Sequence, residues 1–338
     1  MKKSLVCIIY GGKSSEYEVS LASAYSVLEE IDKEKYEIMK IGISREGKWY
    51  LYEGENEKIL NDTWQEGAKE IALDINDGAF ILEGEKIKPD KVLPILHGEY
   101  GEDGRIQSLF DIAGISYVGC GAFSSFLCMD KCLTKVMAKK CGVNISRGFN
   151  IFKHDEYEKI KRKVTKMGYP VVVKPSKGGS SIGVNIVKNE CQLRKALMDA
   201  FSVCECVLIE EKINGKEIEL AVIEREGKPY FSALGEISYT SEFYDYDEKY
   251  KNGKTEYIIP AKISKKAEKK LCQYASKLYT ALGIKDVCRM DFFVTKNGRV
   301  YFNEVNTMPG FTKISMLPKL LMHDGFSYSD IINYILNI

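Results

Sequence analysis

The chain has 338 residues, 45% hydrophobic and 29% charged, enough for two or three packed lobes with substantial cores. Its 49 basic and 48 acidic residues leave a net charge of +1, which gives no footing for nucleic acid or an anionic membrane surface. No apolar run approaches the roughly 20 residues needed to span a bilayer, so the expectation is a protein without a membrane partner.

The first region, residues 1–128, alternates strand and helix patterns. Residues 4–10 read as a buried strand, 11–15 as a turn and 19–31 as a helix, and 91–96 form a further strand leading into His97-Gly98. The opening residues are too short an apolar run for a signal peptide. They end at Gly11-Gly12 without a small-residue cleavage site, so the expected location is the cytoplasm. Such alternation implies a parallel sheet whose ligands gather beyond the strand ends, where Glu16 and His97 fall. Gly12-Lys13-Ser14 is not the end of a Walker A loop, because the first glycine of that motif would fall at Cys7.

The second region, 129–215, opens with a helix over 131–140. Strands at 171–173 and 183–187 flank Lys174-Pro175-Ser176-Lys177-Gly178-Gly179-Ser180-Ser181-Ile182-Gly183, followed by a helix near 192–201. Small residues let backbone N–H groups close over phosphate oxygens, although an ordinary hairpin loop has the same composition. Lys174, at the end of Val171-Val172-Val173, must leave the core or meet a charge. Val207 to Ile213 is a strand that turns polar, and with Glu217 it suits adenine and ribose recognition or is merely an edge strand.

The third region, 216–338, holds long strands, a polar aromatic loop at 243–250, a helix at 267–282 and a hairpin. In the hairpin two β-rich runs flank Asn297-Gly298, a strong two-residue turn signal. Paired positions then place Asp291 opposite Glu304 and Arg289 opposite Asn306, all on one face. Facing carboxylates repel unless neutralised. A divalent cation with oxygen ligands does so, and Asp, Glu and Asn suit Mg²⁺. A solvated polar face is the simpler alternative. Ten cysteines form no Cys-x-x-Cys pair and only three histidines are present, so free, buried thiols are expected rather than zinc or disulfides.

Taken in order, several segments resemble the D-alanine–D-alanine ligase family of the ATP-grasp superfamily across essentially the whole chain. They are Gly11 to Ser20, His97-Gly98-Glu99-Tyr100-Gly101-Glu102-Asp103-Gly104, Met129-Asp130-Lys131, the Lys174 loop, Phe243 to Tyr250, and Asn303 to Thr312. The resemblance implies an α/β, three-lobed ATP-grasp fold and a homodimer. It implies that Lys131 and Lys174 hold ATP phosphates under the Lys177, Ser180 and Ser181 loop, that Glu210 and Glu217 bind adenine and ribose, and that Ile213 lines the base pocket. Asp291, Glu304 and Asn306 would hold two Mg²⁺ ions, for which Mn²⁺ is a substitute. Glu16 would receive the first D-amino acid's ammonium and link to Ser180 and Tyr250, with His97 nearby. Arg289 and the Gly310 backbone would face the oxyanion, and Ser315 the second substrate's carboxylate. Lys249 and Tyr250 in the lid argue against a lactate-using enzyme.

The implied reaction forms an acylphosphate from ATP and D-alanine, which the amine of a second D-alanine attacks, giving D-alanyl-D-alanine for peptidoglycan. Residues 47–64 and Cys128-Met129-Asp130-Lys131 also resemble the D-alanine–D-serine ligases of vancomycin resistance. Those relatives carry an arginine where this chain has the apolar Met316, which favours D-alanine. The remaining alternatives are an ATP-grasp ligase for another carboxylate and a non-catalytic nucleotide-binding regulatory protein.

Overall fold

A computed structural model describes residues 3–238 and 256–336. The lid expected at 243–250, with Lys249 and Tyr250, lies outside the described residues.

The first region runs β1 (Ser4–Gly11), α1 (Tyr17–Glu30), β2 (Tyr36–Ile43), β3 (Trp49–Leu51), α2 (Asn56–Leu60) and β4 (Lys69–Glu70). It continues through β5 (Ala72–Asp74), β6 (Ala79–Leu82), β7 (Glu85–Ile87), β8 (Lys91–Ile95), α3 (Arg105–Ala113) and α4 (Ala122–Met129). β1 is central in a sheet of order β4-β3-β2-β1-β8 and is parallel to both neighbours. Its unbroken run Val6 to Tyr10 is fully buried, as a strand covered on both faces requires. The expected parallel sheet is therefore present over β2, β1 and β8, but β3 joins β2 antiparallel and β4 joins β3 antiparallel. A separate three-stranded meander, β5-β6-β7, was not anticipated.

The middle of the chain runs α5 (Lys131–Lys140), β9 (Gly148–Phe152), α6 (Tyr157–Met167), β10 (Val171–Pro175), β11 (Asn185–Val187), α7 (Glu190–Val203) and β12 (Cys206–Glu211). Its antiparallel sheet has the order β11-β10-β12-β9. One face is covered by α6 and α7, whose Ile160, Val164, Leu193 and Leu197 pack on Val171, Val173 and Ile209. The remainder is β13 (Gly215–Arg225), β14 (Lys228–Ser238), β15 (Glu256–Ile258), α8 (Lys265–Ala281), β16 (Val287–Thr295), β17 (Val300–Asn306), α9 (Met316–His323) and α10 (Tyr328–Leu336). Its sheet has the order β15-β14-β13-β16-β17. One core joins this sheet to α5 and α8, and another joins α9 and α10 to α1 and β1.

The hairpin β16–β17 corrects the expected turn. The Thr295 N–H donates to Arg299 O at 2.9 Å, so the loop is three residues, with Gly298 at φ +77°. Near the turn Val294 faces Val300 and Phe292 faces Phe302, one place off the two-residue register. A β-bulge at Asn303 then restores it, so Asp291 does face Glu304 and Arg289 does face Asn306. Two consecutive side chains, Asn303 and Glu304, consequently lie between the buried Phe302 and Val305 on the polar side.

All ten cysteines are free, but only Cys7, Cys120, Cys128 and Cys288 are buried; five are half-buried and Cys191 is exposed. The expectation of buried thiols holds for those four and fails for the rest.

Candidate active site

The ends of these elements enclose a cleft of about 600 Å³, within the range of small-molecule sites. From the first lobe it takes Glu16 and His97. The middle supplies Lys131, Lys174, Lys177, Ser180, Ser181, Glu210 and Ile213, and the last lobe Glu217, Arg289, Glu304, Asn306, Gly310, Ser315 and Met316.

The cationic side is built on α5. Asp130 caps the helix by accepting from the N–H groups of Cys132 and Leu133, which sets Lys131 at its first turn. Lys131 Nζ donates to Gly178 O at 2.6 Å and lies 3.6 Å from Glu304 Oε2. One turn on, Lys135 reaches the same face. Its Nζ donates to Ser146 Oγ at 2.9 Å and to Glu210 Oε2 at 2.6 Å. Lys174 reaches the other oxygen of Glu210 at 2.5 Å and donates to Asn303 Oδ1 at 3.2 Å.

Glu210, which also lines the cleft, is a buried counter-ion held by two lysines and Ser146. Burial raises its pKa, but the charges and hydrogen bonds of Lys135 and Lys174 overcome that and hold it far below the usual carboxylate range. For Lys174 burial is outweighed by Glu210, Glu304 and Glu217, and its pKa rises; for Lys135 burial prevails and its pKa falls. Lys177 is set apart, with its ammonium over the Phe126 ring at 5.0 Å from the centroid.

Glu16, at the start of α1, accepts a hydrogen bond from the Ser180 hydroxyl and so ties the first lobe to the glycine loop. Ser180 and Ser181 both adopt positive φ, 48° and 61°, an uncommon conformation for residues with side chains. Glycines surround this carboxylate for a steric reason. A Cβ at Gly98 would stand 2.6 Å from Glu16 Oε2, and one at Gly179 2.7 Å from it.

His97 lines the cleft, but both ring nitrogens have protein partners. Nδ1 lies 2.9 Å from the Met308 carbonyl and Nε2 3.1 Å from Ser23 Oγ, which accepts from the Phe311 N–H at 3.2 Å. His97 and Ser23 thus clamp the strip 308–311 that carries Gly310. Burial opposes the imidazolium, yet Glu102, Glu16 and the Met308 carbonyl carry the His97 pKa above its ordinary value.

On the hairpin face, Arg289 donates from Nε to Asp291 Oδ1 and from Nη2 to Asp291 Oδ2, each at 2.8 Å, and Asn306 Nδ2 donates to Oδ2 at 3.1 Å. Glu219, across the ladder from Asp291, lies 3.0 Å from Arg289 Nε. Burial works against the guanidinium charge, but Asp291 and Glu219 raise its pKa well above normal. Asp291, Glu304 and Asn306 share this face and offer hard oxygen donors, so their chemistry fits Mg²⁺. Among the described residues no three His, Cys, Asp or Glu side chains are grouped to hold a metal ion, and Asp291 is turned to Arg289.

Ser315 is the N-cap of α9 and shares a 2.7 Å hydrogen bond with Thr312 Oγ1. Met316 is buried; a Cβ at Gly235 would lie 3.0 Å from its sulfur.

Sequence reasoning missed Lys135, Ser146 and Glu219. Lys135 was findable as the i+4 neighbour of Lys131, and Glu219 as the i+2 neighbour of Glu217 on one strand face.

Family models described as D-ala D-ala ligase N-terminus and D-ala D-ala ligase C-terminus match residues 5–120 and 137–337. The D-alanine–D-alanine ligase B of Clostridium tetani is 41% identical over 100% of this chain and 94% of its own. The solved structure of the VanG D-Ala:D-Ser ligase from Enterococcus faecalis superposes with a TM-score of 0.91, at 38% identity and 99% coverage of both chains. That of the D-alanine–D-alanine ligase from Bacillus anthracis complexed with ATP gives 0.74, at 27% identity, covering 99% of this chain and 96% of that one.

Proposed function

The chain belongs to the D-alanine–D-alanine ligase family, and from that premise we propose how its cleft joins two D-alanines with conversion of ATP to ADP and phosphate. The product, D-alanyl-D-alanine, serves peptidoglycan synthesis. The observation that carries the reading is the convergence of Glu16, Lys131, Lys174, Arg289 and Gly310, from all three lobes, on one cleft.

Lys131 and Lys174 bind and orient the ATP phosphates beneath the Lys177–Ser181 loop, and Ile213 and Glu217 line the nucleoside end. Glu210 acts there through Lys174, by keeping it charged and in place. Glu16 takes the ammonium of the first D-alanine, whose carboxylate accepts the γ-phosphoryl group. Asp291, Glu304 and Asn306 would hold Mg²⁺, which neutralises phosphate charge during that transfer.

The amine of the second D-alanine then attacks the acylphosphate carbonyl. Arg289 and the Gly310 N–H face the developing oxyanion, and the clamp of His97 on Met308 and Ser23 on Phe311 fixes that N–H in place. Ser315, at a helix N-terminus, receives the second carboxylate. The family resemblance gives Lys249 and Tyr250, outside the described residues, a substrate-binding role in the same reading.

The likeness to VanG favours a second reading, D-serine as the second substrate. Against it, Met316 offers no hydrogen bond to a serine hydroxyl. Mass spectrometry after incubation with ATP, Mg²⁺, D-alanine and equimolar D-serine separates the two: D-alanyl-D-alanine is expected, and mainly D-alanyl-D-serine overturns the choice.

Among the described residues no helix is long and apolar enough to cross a membrane, which suits the proposed cytoplasmic location. A homodimer is what the family resemblance implies.

A further inference from the structure

We propose that Glu219 is a positioning residue: it is the carboxylate that holds Arg289 when a divalent cation takes Asp291. The inference rests on the ligase reading and extends it to a residue that reading does not use.

In the structure Arg289 occupies both oxygens of Asp291, and Asn306 Nδ2 adds a second donor to one of them. A cation binding Asp291 competes with that guanidinium, because Arg289 and Asn306 already take three of the carboxylate's roughly four lone-pair sites and two positive groups on one carboxylate repel. Arg289 cannot shed its proton to relieve the conflict. It stands among β-strands, so it needs another anion within reach.

Glu219 is that anion. It is buried and directly opposite Asp291 in the β13–β16 ladder, and its Oε2 is already 3.0 Å from Arg289 Nε. Nε carries a single hydrogen, which is aimed at Asp291 Oδ1 in this arrangement, so the contact with Glu219 is one of charge. A small rotation of the guanidinium turns that contact into a charge-assisted hydrogen bond as the bond to Asp291 is released. Asp291, Arg289 and Glu219 thus form an exchange in which the arginine changes partner without leaving the site. The same movement frees its other N–H groups for the reacting carbonyl.

The test is direct metal binding. Mn²⁺ is titrated into the full-length chain with saturating ADP, and free Mn²⁺ is followed by electron paramagnetic resonance with ADP chelation subtracted. In Glu219→Gln the arginine keeps Asp291 as its only carboxylate, and Mn²⁺ affinity is expected to fall about tenfold. In the Arg289→Met background the same Glu219→Gln change is expected to alter affinity less than twofold, because nothing remains to be moved. An unchanged Mn²⁺ affinity in Glu219→Gln overturns the proposal. So does an equal loss in both backgrounds, which marks Glu219 as a ligand or a simple through-space charge. Glu219→Asp, which retains charge but is one methylene shorter, is expected to lose affinity part-way; full affinity there counts against the exchange. Wild-type chain that binds no Mn²⁺ beyond ADP's own share refutes the metal arm of the ligase reading instead.

Discussion

Replacing Glu210 by glutamine removes the one negative charge between two buried ammonium groups while keeping the side chain's shape. In the native chain Glu210 receives Lys135 at 2.6 Å and Lys174 at 2.5 Å, and it is 4% exposed. Breaking a buried pair by removing one partner costs about 3–5 kcal/mol, because the remaining charge stays desolvated. Glu304 still acts on both remaining ammonium groups, so the lower half of that range is expected. For a chain of 338 residues unfolding as one cooperative unit, about 3 kcal/mol corresponds to a fall in Tm of roughly 4 °C. Thermal unfolding followed by circular dichroism at pH 7 measures it. The Lys135→Met, Glu210→Gln double variant should recover most of the loss, since the two residues are coupled. The pH dependence has a defined sign. A carboxylate with a depressed native pKa contributes stability that is full above its unfolded value of about 4.5 and is lost as pH falls toward the native one. The deficit of Glu210→Gln should therefore be constant from pH 8 to 6 and shrink only below about 4.5. A Tm within 2 °C of wild type at pH 7, or a deficit that closes near neutrality, would refute the buried triad as a source of stability.

Gly179→Ala places a methyl 2.7 Å from Glu16 Oε2 and turns that carboxylate aside, so kcat/KM for D-alanine should drop on the order of 100-fold with little change in Tm; steady-state activity within threefold of wild type contradicts the crowding argument. Asn303→Ala removes the 3.2 Å acceptor of Lys174 Nζ, worth about 1 kcal/mol, and should raise KM for ATP about fivefold with little change in Tm. His97 has a raised native pKa, so its ionic contribution is complete below about 6.5 and is lost as pH rises through the higher native value. The stability difference between wild type and His97→Gln in urea should narrow along that rise, and a difference that widens reverses the assigned sign.

Much of the site was legible in the sequence because its residues sit at strand ends, turns and polar strand faces, where a charged or hydroxyl side chain points away from the core and toward a ligand or solvent. Asp291, Glu304, Arg289 and Asn306 share a face as the hairpin spacing indicated, although the turn is longer than expected. What was not legible depended on contacts between segments distant in sequence. Glu210 reads as a carboxylate on a strand turning polar, and only the approach of α5 from 75 positions away makes it a counter-ion. The antiparallel edge of the first sheet was hidden for a similar reason, since Trp49 to Leu51 is too short a strand for periodicity to report.

The bulge at Asn303 affects how densely a sheet can be furnished. A regular strand offers one side chain per face about every 7 Å, twice its rise per residue. Here two adjacent residues serve one side: Asn303 receives Lys174, while Glu304 lies near Lys131 and opposite Asp291. The strand doubles its local supply of polar groups at the point where two lysines and the proposed cation site are served within a few ångströms, and its apolar side keeps Phe302 and Val305 in the core.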